Sequence, residues 1–89
     1  MDISAVKRLF KELDDDEVLR IELINSTKLY CLPCDAVYMD TYSGTVGISK
    51  PIKKDKTQKI RIDPNAIAVV CTMSRKTYDS KLNRGELYV

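Results

Sequence analysis

A change of hydrophobic period after the first helix limits this chain more than any other feature. Beyond residue 17 the apolar residues recur every second position, in short runs. Leu19, Ile21 and Leu23 alternate with Arg20, Glu22 and Ile24 in a first half-buried strand. Asn25-Ser26 marks a turn. Lys28 to Leu32 forms a second strand, which Pro33 bends or ends, with Ala36 to Asp40 as its continuation. Tyr42-Ser43-Gly44 turns the chain into a third strand, Thr45 to Ser49. Residues 50–58, opened by Pro51, are expected to form a loop. Lys59 to Asp63, with Ile60 and Ile62 inward, is the fourth strand, and Asp63-Pro64-Asn65 turns tightly into the fifth, Ala66 to Met73. Five strands of this length close only as a small, strongly bent antiparallel barrel. The expected fold is therefore mainly β: a helix over residues 3–13, a barrel over 18–73, one domain over 1–74 and an extension over 75–89.

The helix rests on Ile3, Val6, Leu9, Phe10 and Leu13, with Lys7, Arg8, Lys11 and Glu12 on the opposite side. Asp2 or Ser4 is placed to cap its start. Asp14, Asp15, Asp16 and Glu17 oppose a helix C-terminus, so it should end near Leu13. The strand 66–73 is apolar on both faces, which calls for a cover on its second side or its edge, most simply another copy of the chain. In the extension, Tyr78 and Leu82 lie at helical spacing with Gly85 as a stop, giving a short helix or a mobile tail.

The absence of histidine from the 89 residues removes Ser-His-Asp, Cys-His and His-metal chemistry together. No other nucleophile–base pair or phosphate loop is visible, so the expectation is a protein that is not an enzyme. The longest uncharged run, Pro64 to Ser74, is too short to span a bilayer. An N-terminal segment without an apolar signal core, together with three cysteines, points to a cytoplasmic protein. Charge is uneven: the net +2 hides an acidic first half and a basic second half, with six cations between Lys50 and Arg61 against Asp55 alone. Such a segment meets phosphates or is a solvated loop.

Three segments resemble the Sm-like family. Ile21 to Leu29 (IELINSTKL) resembles its first strand, turn and second-strand start, with Ser26 where a Gly is usual. Asp40-Thr41-Tyr42 resembles its Asp-x-aromatic element. Asp63 to Val70 (DPNAIAVV) resembles its last turn and fifth strand, with Pro64-Asn65 where the bacterial Hfq-type members carry Lys-His. The resemblance covers roughly residues 5–73 and implies an N-terminal helix, a five-stranded barrel and a ring. In such rings the fourth strand of one subunit pairs with the fifth of the next. About three residues between Leu29 and Asp40 are extra, and Gly44 stands where most members place a base-contacting Asn.

The resemblance implies binding of single-stranded RNA, which is held by stacking, base-edge hydrogen bonds and cations on phosphates. Tyr42 after Asp40 is placed to stack a base, Asn65 to read a base edge, and Arg61 to pair with phosphate. Lys53, Lys54 and Lys56 add field from the loop. A weaker second RNA site on the opposite face involves Asn25, Lys28 and Tyr30, with Glu22 opposing phosphate. The ring seam is expected at Ile60, Ile62, Ile67, Ala68, Val69 and Val70. The partners are then single-stranded RNA and further copies of the chain, with no membrane. The alternatives are a structural or protein-interaction ring without an RNA site, and a monomeric small-barrel adaptor. Cys31-Leu-Pro-Cys34 lacks the following helix of a redox motif, and a zinc site would need Cys71 plus a carboxylate such as Asp35, so the thiols are expected to pack without metal or cofactor. Asp14 to Glu17 is expected to be a solvated connector.

Overall fold

In the computed structural model, which describes residues 3–86, Ile3–Lys11 forms helix α1 and Glu17–Leu23 forms strand β1. The helix ends two residues before the expected Leu13. Ser4 falls inside it rather than before it, and Asp2 lies outside the described residues. The acidic run makes the connector, where Glu17 N–H bonds the Asp14 carbonyl and Asp14 N–H bonds the Glu17 carboxylate. Crowding by Glu17 first, then by burial and Asp16, raises the Asp14 carboxyl above its ordinary pKa.

The remaining elements are β2 (Lys28–Cys31), β3 (Ala36–Asp40), β4 (Thr45–Lys53), β5 (Lys56–Ile62), a 3-10 turn at Pro64–Ala66, β6 (Ile67–Ser74) and helix α2 (Arg75–Asn83). They build two three-stranded antiparallel sheets, ordered β2-β1-β6 and β3-β4-β5. The five strands expected from the sequence are thus six. The two sheets share no paired strands, so they are not closed into a barrel. The second expected strand divides at Leu32–Asp35 because Pro33 has no N–H to give the ladder. Asp35 N–H bonds the Leu32 carbonyl there, turning the chain from one sheet to the other.

A second expectation fails in the basic segment. Residues 50–58 are not a loop: β4 runs on to Lys53, turns at Lys54-Asp55, and returns as β5, with Lys50 opposite Gln58, Pro51 opposite Thr57 and Lys53 opposite Lys56. Pro51 is tolerated because the ladder shifts register between it and Lys53.

The core lies between the sheets. Leu19 and Ile21 from β1, Cys31 from β2, Val46 and Ile48 from β4, Ile62 from β5 and Ile67 from β6 pack together, and Val6 of α1 joins them. Each fully buried Leu or Ile contributes about 1.5–3 kcal/mol by leaving water. The second face of β1, where Val18 is also buried, is the face that α2 packs on beside β6. The cover that strand 66–73 requires therefore comes partly from the chain itself. Ser74 caps α2 by accepting the Thr77 N–H at 3.1 Å. The helix stops in a Schellman motif: Glu86 N–H bonds the Lys81 carbonyl, Gly85 N–H bonds that of Leu82, and Gly85 takes φ 73°. The 75–89 extension is a helix through Asn83, and residues 87–89 lie outside the described part.

The turn between β1 and β2 is a three-residue loop closed by Leu23 N–H to the Thr27 carbonyl at 2.8 Å and Ser26 N–H to the Leu23 carbonyl at 2.9 Å. Its last residue is left-handed, with Ser26 at φ 70°. A Cβ there costs roughly 1–2 kcal/mol. The turn carries this cost as backbone strain at Ser26.

Candidate nucleic-acid interface

The turn from β3 to β4 is built by Asp40. Its Oδ1 accepts the N–H groups of Tyr42 (3.1 Å) and Ser43 (3.3 Å), and its backbone carbonyl accepts Gly44 N–H at 2.8 Å. Gly44 sits at φ 68°, a conformation a side chain would resist. Ser43 and Thr45 share a hydroxyl contact at 2.8 Å across the turn. The Ser43 side chain and N–H, then the Tyr42 N–H and Arg61, hold the Asp40 carboxyl below its ordinary pKa. Its grip on the turn is therefore present at neutral pH and is lost only as pH falls into the acid range. A short acidic side chain thus fixes the backbone of a loop whose tip, Tyr42, is fully exposed at 101%. The ring does not pack on its own domain.

Arg61 reaches this turn from β5, with Nε 3.6 Å from Asp40 Oδ2 while its guanidinium stays largely in solvent. Ile62 pairs with Val46, and Thr45 pairs with Asp40, so the 3-10 turn that follows β5 leaves the sheet at the end where the Tyr42 turn stands. Asn65 is exposed on it, and its N–H is tied to Asp63 Oδ1 at 2.9 Å. Asn65 does not occupy a left-handed position, because Ser26 alone among the described non-glycine residues does. Tyr42, Asp40 and Arg61 are brought together, with Asn65 at the same end.

Lys53, Lys54 and Lys56 are elsewhere. They stand at the far end of β4, and eight strand steps from Thr45 to Lys53 span about 26 Å. That exceeds the roughly 8 Å screening length at physiological salt, so their field does not reach Tyr42.

The outer face of β3-β4-β5 carries a feature absent from the sequence reading. Tyr38 lies opposite Gly47, and a Cβ on Gly47 would fall 2.3 Å from Tyr38 Cζ. The ring lies across the glycine, on the strand next to Arg61. The signal was a lone Gly in a strand, which marks a close approach. Gly47→Ala must push the Tyr38 ring off this seat. It should lower stability by about 1–3 kcal/mol in the native chain and by clearly less in a Tyr38→Ala background. Urea midpoints of the four variants measure that difference.

The residues expected to form a second face are partly engaged within the domain. Glu22 stands opposite Lys28 and lies 3.4 Å from Arg20, so it offsets both cations. Tyr30 leans on Tyr78 of α2, with centroids 5.5 Å apart, instead of standing free. Asn25 belongs to the turn that meets the Asn65 turn, since Ile24 N–H bonds the Ala66 carbonyl at 2.9 Å. Among the residues expected at a ring seam, Ile62 and Ile67 are core and Ile60 and Val70 pack against it. Ala68 and Val69 are exposed. β5 and β6 are each an outer strand of their sheet, so both present an unpaired edge.

Cys31, Cys34 and Cys71 are free thiols, and no three metal-ligating side chains converge among the described residues. Burial pushes the Cys31 thiol up to about 11, against a smaller lowering by Lys50. Because the folded thiol holds its proton more tightly, it contributes stability below about pH 9 that is lost as pH rises towards 11. Alkylation followed by mass spectrometry at pH 8 should modify exposed Cys34 rapidly and Cys31 only after unfolding. The purified protein should carry no stoichiometric zinc.

No helix among the described residues is long and apolar enough to cross a membrane. No known protein family, curated protein or solved structure matches the chain.

Proposed function

We propose that this chain is a non-enzymatic Sm-like protein that forms a ring and binds single-stranded RNA at Tyr42, Arg61 and Asn65. The observation that carries the reading is the fully exposed Tyr42 ring, mounted on an Asp40-tied turn beside a solvated guanidinium. An aromatic face and a planar cation held at one place are the components that stack a base and bind its phosphate. Tyr42 has no packing role within its own domain, so its exposure is unexplained by folding. The N-terminal helix, the short last turn and the order of elements support the Sm-like reading. The unpaired edges of β5 and β6 give ring closure the partners it needs.

Tyr42→Ala removes the stacking platform and should weaken binding of a short unpaired RNA by about 1–3 kcal/mol per site, multiplied around the ring, with the fold unchanged. Lys28→Ala should matter least. Fluorescence anisotropy with U-rich and A-rich oligonucleotides measures both. An intact ring that ignores RNA at low salt would instead make the protein a structural ring.

A further inference from the structure

The hairpin of β4 and β5 extends beyond its sheet. β3 meets β4 only as far as Ser49, whose partner is Lys59, so from Lys50 to Gln58 the two strands pair with each other and with no third strand. Lys50 is anchored, bonded to the Tyr30 carbonyl and 3.5 Å from Asp35. Every side chain from Pro51 to Lys59 is exposed. An isolated two-stranded ribbon is marginal in water, and this one carries no apolar cover.

Its charges add to the difficulty. Lys53, Lys54, Lys56 and Lys59 face Asp55 alone, and the ion pairs of the described residues all lie elsewhere. Lys53 and Lys56 stand directly opposite each other, an arrangement that costs folding energy. A fold has no use for this repulsion, whereas a polyanion relieves it. No aromatic residue lies between Tyr42 and Tyr78, so the ribbon has no platform for unpaired bases. Lysines bind phosphate as point charges and do not read base edges. A ribbon of lysines without stacking groups suits two rows of phosphates along a groove, which is the surface of a double helix.

We propose that the 50–59 ribbon is a separate, sequence-independent contact for double-stranded RNA, holding a stem while the Tyr42 end holds an adjoining unpaired segment. The choice of RNA rests on the single-strand reading above. The duplex contact itself does not require Tyr42.

The test measures binding of three probes at low and moderate salt: a short unpaired RNA, a blunt RNA duplex of about 16 base pairs, and the same duplex with an unpaired tail. The variant is Lys53→Ala/Lys54→Ala/Lys56→Ala, with the matching triple Lys→Arg as the charge-keeping control. Expected results are a loss of duplex affinity of about tenfold or more in the alanine variant and a log–log salt slope shallower by about two to three. Affinity for the unpaired RNA should stay within about twofold, and the arginine variant should behave as the native chain. Tyr42→Ala should show the reverse pattern. Duplex binding that persists and needs the lysines, with no binding of unpaired RNA, supports the ribbon while sinking the single-strand reading. Equal losses on unpaired and duplex probes, no duplex binding at low salt, or preference for a DNA duplex of equal length would each overturn the proposal.

Discussion

Asp35→Ala is expected to cost about 3–5 kcal/mol, a large share of the 5–15 kcal/mol that holds a domain of this kind folded. Asp35 is buried at 6%, and Oδ2 accepts the Leu32 N–H at 2.9 Å while facing the Lys50 ammonium at 3.5 Å. The Cys34 thiol approaches Oδ1 at 3.9 Å. Lys50 belongs to β4 and also donates to the Tyr30 carbonyl of β2, so the pair ties one sheet to the other where Pro33 interrupts the chain. Removing the carboxylate leaves the Leu32 N–H without its acceptor and a partly buried ammonium held by the Tyr30 carbonyl alone. Asp35→Asn keeps an oxygen for Leu32 and should lose only about half as much. Urea unfolding of the two variants separates the charge from the hydrogen bond. Equal losses would show that the hydrogen bond to Leu32 contributes nothing, and almost no loss in Asp35→Asn would show that the ammonium simply turns to solvent.

Val69→Lys should reduce the proposed ring to single 10.1 kDa chains while the domain stays folded. Val69 is 46% exposed and lies on the outer strand β6, opposite Glu22. Within one chain a lysine there gains a carboxylate across the ladder and buries nothing. At a seam with a neighbouring β5 it meets a strand carrying Lys56, Lys59 and Arg61. Light scattering should show about five to seven copies for the native protein and one for the variant. With the ring gone, RNA affinity should fall by about a hundredfold or more, since repeated sites no longer act together. A variant of unchanged mass would place the seam elsewhere. Val70→Asp cannot make this distinction, because Val70 packs against the core opposite Ile21 and its loss would unfold the chain.

Where one side of an element faces the core, its residues announce it. Val6, Leu19, Ile21, Ile62 and Ile67 follow the helix or strand period, and the elements they define lie where that period puts them. The 50–59 ribbon is illegible for the same reason: both of its faces are wet, so no alternation marks it, and Pro51 with five lysines imitates a loop. The split of the second strand needed Asp35, whose burial depends on Lys50 fifteen residues away. At the candidate site the Asp40-Tyr42 turn was readable because its bonds are local. The Arg61–Asp40 contact comes from strand pairing, as does the seat of Tyr38 over Gly47. Of the six residues expected at a ring seam, Ile62 and Ile67 fill the inner face of their short strands.

The pairing of β1 with β6 also sets a timetable. Glu17 meets Ser74, so the sheet β2-β1-β6 cannot be completed until the chain has been synthesised through Ser74. The β4–β5 hairpin, whose partners are close in sequence, can form within microseconds of emerging, whereas the closing strand bears the loop entropy of everything between. Until then β1 and β2 wait with one side of Leu19 and Ile21 uncovered. A nascent chain therefore offers its neighbours a sticky, half-built sheet, and β6 ends that exposure on arrival. Deleting residues 67–74 would leave every other strand encoded and still give a chain that aggregates on the ribosome's timescale.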